Sequence, residues 1–240
     1  MTLSTNPVFC ALDTTDLDQA VHWARALNGH VGGLKIGMEF FYSHGRRGYD
    51  AVAREGVPIF LDLKLHDIPN TVAGGLRALM NLDPLPALVT VHCGGGLPMM
   101  RAAAEAANGK VKIVGVTILT SLSGADLVEI GFTGDKDTAD HARALAHIAQ
   151  IAGLDGVVCS PHDVAGIKHA TSADFLTVVP GIRPAGVDAG DQKRIATPGE
   201  TIKQGADILV VGRAITKADD PAAAAQAIVA EVAEVEAARD

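Results

Sequence analysis

Asp62 and Lys64 interrupt an otherwise apolar run from Ile59 to Leu65, and Asp67 follows three residues after the lysine. Side chains on a strand repeat with a period of two, so Asp62 and Lys64 share a face. Asp67 lies past the expected strand end, where a loop can fold it back toward the lysine. Burying a charge costs several kcal/mol per ion unless it is paired. An Asp-Lys-Asp cluster at the C-terminal end of a strand is therefore a structural salt-bridge triad or a reaction centre. Charges of this kind gather at functional sites. An ammonium held between two carboxylates is a fixed positive charge and a proton donor. A Schiff-base nucleophile needs a neutral amine instead, which this setting opposes.

The elements that must position these groups are short apolar runs alternating with longer amphipathic segments. Strands are expected at 8–13, 33–37, 58–65, 87–93, 112–119, 156–160, 175–182 and 208–212. They are rich in Val, Ile and Leu and lack polar alternation, as parallel strands covered on both faces do. Helices are expected at 17–27, 50–55, 71–80, 97–107, 139–152, 163–170, 198–204 and 221–238. The acidic run 129–140 reads as a solvated loop. Eight β/α units in 240 residues is about 30 residues per unit, the scale of a small (β/α)8 TIM barrel. A doubly wound open sheet competes, but eight nearly uniform units favour closure. No Pro/Ser/Gly linker divides the chain, so residues 1–240 are expected to form one domain.

Barrel enzymes place their sites at the C-terminal ends of the strands. The polar residues at those ends are Asp13, Lys35, the 62–67 cluster, His92, Thr120 with Ser121, Ser160, Arg183 and Arg213. Their cations suit an anionic substrate. Barrels bind phosphate after strands seven and eight through backbone N–H groups and a basic residue. Val-Val-Gly-Arg at 210–213 fits that place, and Arg213 can offer a forked contact. Cys93-Gly-Gly-Gly96 either cradles phosphate or gives room at the mouth. The histidines show no metal-ligand spacing; His66 is expected to turn away from Lys64, and His92 is a weak site candidate. The net charge is −8 without a basic run, and aromatic residues make up 4%, which disfavours nucleic acid and anionic membranes. No apolar stretch is long enough to span a bilayer. Cys10, Cys93 and Cys159 form no CxxC pair and read as buried hydrophobes in a reducing cytoplasm.

The segment Asp62-Leu-Lys64-Leu-His-Asp67-Ile-Pro-Asn-Thr71 resembles the signature of the orotidine 5′-phosphate decarboxylases in their bacterial form. Ala11-Leu-Asp13, Leu34-Lys-Ile-Gly37, Leu119-Thr-Ser121, Pro180-Gly-Ile-Arg183 and Val211-Gly-Arg213 support it, so the likeness covers nearly the whole chain. The resemblance implies that Lys64 protonates C6 of the pyrimidine and that Asp62 faces the substrate carboxylate. Lys35 and Asp13 hold the ribose hydroxyls and orient the charges, and Ser121 meets the pyrimidine amide. Pro180, Gly212, Gln192 and Arg213 bind the rest of the nucleotide, the last two at its phosphate, with residues 184–194 as a lid. Asp67 and Thr71 reach the partner's site in a homodimer. Neither metal nor organic cofactor is implied.

Three rival readings remain. Mg²⁺-dependent sugar-phosphate decarboxylases and synthases of the same barrel superfamily share the Asp-x-Lys-x-x-Asp strand. They place an acidic metal ligand at the end of strand two, where this chain has Lys35. A catalytically silent nucleotide-binding barrel and a Schiff-base aldolase using Lys64 are the others.

Overall fold

Eight apolar runs pair side by side, in parallel, around a closed ring. The computed structural model describes residues 5–132, 134–184 and 196–238. The strands are β1 (Val8–Ala11), β2 (Gly33–Gly37), β3 (Ile59–Leu65), β4 (Leu88–His92), β5 (Lys112–Val116), β6 (Gly156–Val158), β7 (Leu176–Val179) and β8 (Ile208–Val211). They follow one another in sequence order, and β8 closes the ring by pairing with β1. The fold is a (β/α)8 TIM barrel. Helices cover its outside: α1 (Leu17–Leu27), α2 (Met38–Ala53), α3 (Pro69–Leu79), α4 (Gly96–Ala107), α5 (Gly124–Glu129), α6 (Thr138–Ile151), α7 (Val164–Ala170), α8 (Pro198–Lys203), α9 (Arg213–Thr216) and α10 (Pro221–Ala237). None of the described helices is long and apolar enough to cross a membrane.

The period of two sorts each strand into an outer and an inner row. Outward residues such as Cys10, Leu34, Ile36, Leu61, Val89 and Val91 pack under the helices in the large core. Inward residues Phe9, Ala11, Phe60, Leu88, Val114, Val178 and Val210 form a separate apolar plug inside the ring. The inner rows then change character toward the C-terminal ends. Asp13 follows Ala11 after β1, Lys35 follows Gly33 on β2, Asp62 follows Phe60 on β3 and Thr90 follows Leu88 on β4. The polar layer thus stands on a dry floor. Gly33 is needed within that floor, because a Cβ there would lie 2.3 Å from the Phe9 ring.

Several strands end earlier than the apolar runs suggest, notably β5 and β7, and the residues beyond them turn into the loops at the mouth. Helix α2 departs most from expectation. It runs from Met38 rather than starting at 50, with a kink at Gly45 (φ 55°). Its polar stretch around His44–Gly48 hides the stripe formed by the buried Phe40, Tyr49, Val52 and Ala53. Two short helices, α5 and α9, were not expected. Helix α5 is held by a reciprocal cap between Ser123 and Asp126. All three cysteines are buried and none is in a disulfide. Burial pushes the Cys10 and Cys93 thiols up to about 12, so neither supplies a thiolate.

Candidate active site

A cavity of about 700 Å³ opens at the C-terminal ends of the strands. Asp13, Lys35, Asp62, Lys64, Ser121, Pro180, Gly212 and Arg213, each expected from the sequence, all line it. Asp67 and Thr71 do not line it, and Gln192 and most of the 184–194 loop lie outside the described residues. Thr120, Cys159, Arg183, Thr216 and Lys217 also face the cavity. Thr120 and Arg183 are strand-end polar residues to which the resemblance assigns no individual role. The buried Arg183 guanidinium donates to its neighbour's carbonyl, Ile182 O, at 2.8 Å.

In the cavity wall, side chains from three consecutive β/α units form a line of alternating charge. Lys64 Nζ donates to both carboxylate oxygens of Asp62, at 2.9 and 2.8 Å. Asp62 Oδ2 also lies 3.8 Å from Lys35 Nζ, which donates to Asp13 Oδ1 at 3.0 Å. Two ammonium groups and two carboxylates alternate, so every charge has an opposite neighbour. Lys35 and Asp62 are mostly buried, each with 13% side-chain exposure, which strengthens their attraction. Pro180, Gly181 and Arg183 after β7 and Gly212 and Arg213 after β8 complete the lining, and Gly212 lies beside the charge line, since a Cβ there would be 3.8 Å from Asp13 Oδ2.

Asp62 and Lys64 share a face, but not through a regular pleat. Four steps along β3, Leu61 to Leu65, match two along β4, Val89 to Val91. The two extra residues make a bulge, and Lys64 sits in it with φ 50°. A left-handed conformation costs a residue with a side chain about 1–2 kcal/mol. An even insertion preserves the parity of the strand, so Leu65 returns to the outer row. Thr90, fully buried on β4, bridges the bulge. Its hydroxyl donates to Asp62 Oδ1 (3.0 Å) and accepts from Lys64 N–H (2.7 Å). Sequence reasoning missed Thr90. The available signal was a polar residue on the inner row of an apolar strand, level with Asp62.

Asp67 does not fold back onto Lys64 within the chain. Its carboxylate accepts from the N–H of Ile68 at 2.7 Å instead. The exposed stretch from His66 to Thr71 includes Ile68, 67% exposed at the N-terminus of α3. His66 turns away from the cavity, as alternation implied, and stacks on His92 with ring centroids 5.0 Å apart. His92 also stays outside the cavity. Its Nδ1 accepts from Gly94 N–H at 3.0 Å, capping the turn at 93–95. Burial, then His66 and then Lys64 hold its imidazole below the usual histidine value.

The Orotidine 5′-phosphate decarboxylase / HUMPS family matches residues 6–228. An orotidine 5′-phosphate decarboxylase of Novosphingobium aromaticivorans is 52% identical over 93% of this chain and 97% of its own length. One from Erythrobacter litoralis is 49% identical over the same shares. Among solved structures, the orotidine 5′-phosphate decarboxylase of Lactobacillus acidophilus aligns with a TM-score of 0.81 and 37% identity. That alignment covers 95% of this chain and 99% of that one.

Proposed function

Because the chain belongs to the Orotidine 5′-phosphate decarboxylase / HUMPS family, we propose that its cavity converts orotidine 5′-monophosphate to uridine 5′-monophosphate and CO2, a step of de novo pyrimidine biosynthesis. The observation that carries this reading is a line of alternating charge in a cavity that Arg213 also lines. Asp13, Lys35, Asp62 and Lys64 come from the first three β/α units, and Arg213 comes from the segment after β8, which pairs with β1.

The chemistry follows from these groups. The C6–carboxylate bond breaks, CO2 leaves, and the electron pair stays on C6. A fixed ammonium stabilises this charge as it develops, at a site where it needs no reorganisation. Lys64 Nζ then transfers a proton to C6 and recovers one from solvent. Asp62 faces the substrate carboxylate and holds Lys64 in place. Lys35 and Asp13 take the ribose hydroxyls, and Ser121 takes the pyrimidine amide. Gln192 and Arg213 take the phosphate, and Pro180 and Gly212 bind the rest of the nucleotide. Phosphate binding, remote from the breaking bond, supplies energy for ordering the reacting end.

We assign no metal or organic cofactor to this reaction. Lys35 and Lys64 already occupy the carboxylates that a divalent cation would need. We read residues 1–240 as one domain, since the first strand pairs with the last. We place the enzyme in the cytoplasm, where cysteines remain as thiols. We also read it as a homodimer in which Asp67 and Thr71 complete the partner's site. Support comes from their exposure beside Ile68 and from the failure of Asp67 to reach Lys64 in its own chain.

The deciding experiment follows loss of the orotate chromophore after adding orotidine 5′-monophosphate in the presence of chelator. Rapid conversion to uridine 5′-monophosphate is the expected result. No conversion and no nucleotide binding by the folded protein would point to a metal-dependent sugar-phosphate relative. Tight binding without turnover would point to a silent nucleotide-binding barrel.

A further inference from the structure

We propose that Thr90 is a positioning residue of the catalytic centre, holding the β3 bulge that sets Lys64 against Asp62. The inference rests on the decarboxylase reading. It begins with the register shift, which leaves residues 62–64 without partners on β4. Backbone N–H groups taken from water need an acceptor, and Lys64 N–H finds one in the Thr90 side chain. The same oxygen serves Asp62. Among groups of these types, an ionised carboxylate only accepts and a backbone N–H only donates. The hydroxyl therefore has one arrangement that satisfies both, donating to Asp62 and accepting from Lys64.

One buried side chain thereby fixes two things at once. It holds Asp62 Oδ1 in the orientation that meets the Lys64 ammonium at 2.9 Å. It also ties down the backbone of a lysine whose φ of 50° is intrinsically unfavourable. Thr90 does not line the cavity, so its action on substrate passes through these two residues. Loss of the hydroxyl frees the bulge to relax and leaves Lys64 a choice of positions. The groups proposed for the phosphate, Gln192 and Arg213, are not altered. A small displacement of a reacting group costs on the order of 100-fold in rate.

The test compares T90V and T90A, which both lack the hydroxyl, with T90S, which keeps it. Using two variants guards against one that fails to fold. T177V serves as a control. It removes another buried hydroxyl–carboxylate bond, Thr177 to Asp207 at 2.9 Å, near the opposite end of the barrel. Rates of orotidine 5′-monophosphate decarboxylation are normalised to sites titrated with uridine 5′-monophosphate. We expect kcat of T90V and T90A to fall by about 10- to 100-fold with KM little changed. T90S should recover most of the loss, and T177V should retain wild-type kcat. Wild-type kcat in the hydroxyl-free variants overturns the inference, as does an equal loss in T177V. An inactive wild-type protein overturns the decarboxylase reading and the inference with it.

Discussion

Lys64 is the residue on which the proposed chemistry depends, and Asp62 is its counter-charge at 2.8 Å. Replacing Lys64 by alanine removes both the developing electrostatic contact and the proton. K64A should lose turnover by on the order of 10⁴-fold or fall below detection. Its affinity for uridine 5′-monophosphate should stay nearly unchanged, because Gln192 and Arg213, the groups proposed for the phosphate, are kept. Titration calorimetry beside the decarboxylation assay checks both, and retained turnover would remove Lys64 from the role of acid. His92 carries a second prediction. Its folded-state value is lowered from 6.5, mainly by burial, so the unfolded chain binds a proton more readily. Stability from this group is complete above about pH 6.5 and is lost as pH falls toward the lowered value. H92N keeps an acceptor for Gly94 N–H without titrating in this range. Its melting temperature should decline less than that of the wild type between about pH 8 and about pH 5. Parallel decline would exclude His92 as the source.

At the scale of elements, the barrel floor decides where the polar layer can stand. Phe9 projects inward from β1 into space that Gly33 leaves open on the neighbouring β2, and Lys35 rises one pleat above. G33A should destabilise the protein by about 1–3 kcal/mol through overpacking. Urea unfolding measures this, and an unchanged midpoint would show that Phe9 moves aside freely. The elements also explain which parts were legible from sequence. Helix α1 (Leu17–Leu27) was readable because its apolar stripe is unbroken and Asp16 caps it by accepting from Gln19 N–H. Helix α2 was not, because Gly45 breaks it and its polar middle obscures the stripe. Strand β5 was overextended because residues 117–119 continue the apolar run after the ladder has ended at Val116.

At the scale of the whole molecule, the exposed segment 66–71 is the surface through which two chains are proposed to share their sites. Mixing K64A and D67A subunits tests this. A shared site predicts that each hybrid regains one intact centre, whereas no recovery on mixing would confine each site to its own chain. The eight apolar runs and the residue types at their ends sufficed to infer a closed barrel with an anionic-substrate mouth. Periodicity and composition are local properties, and the chain carries them without reference to its fold. The bulge in β3, the conformation of Lys64 and the part played by Thr90 belong to the tertiary structure alone. They depend on how β3 registers against β4, through hydrogen bonds joining residues 26 and 28 positions apart, and no pattern within either strand encodes that pairing.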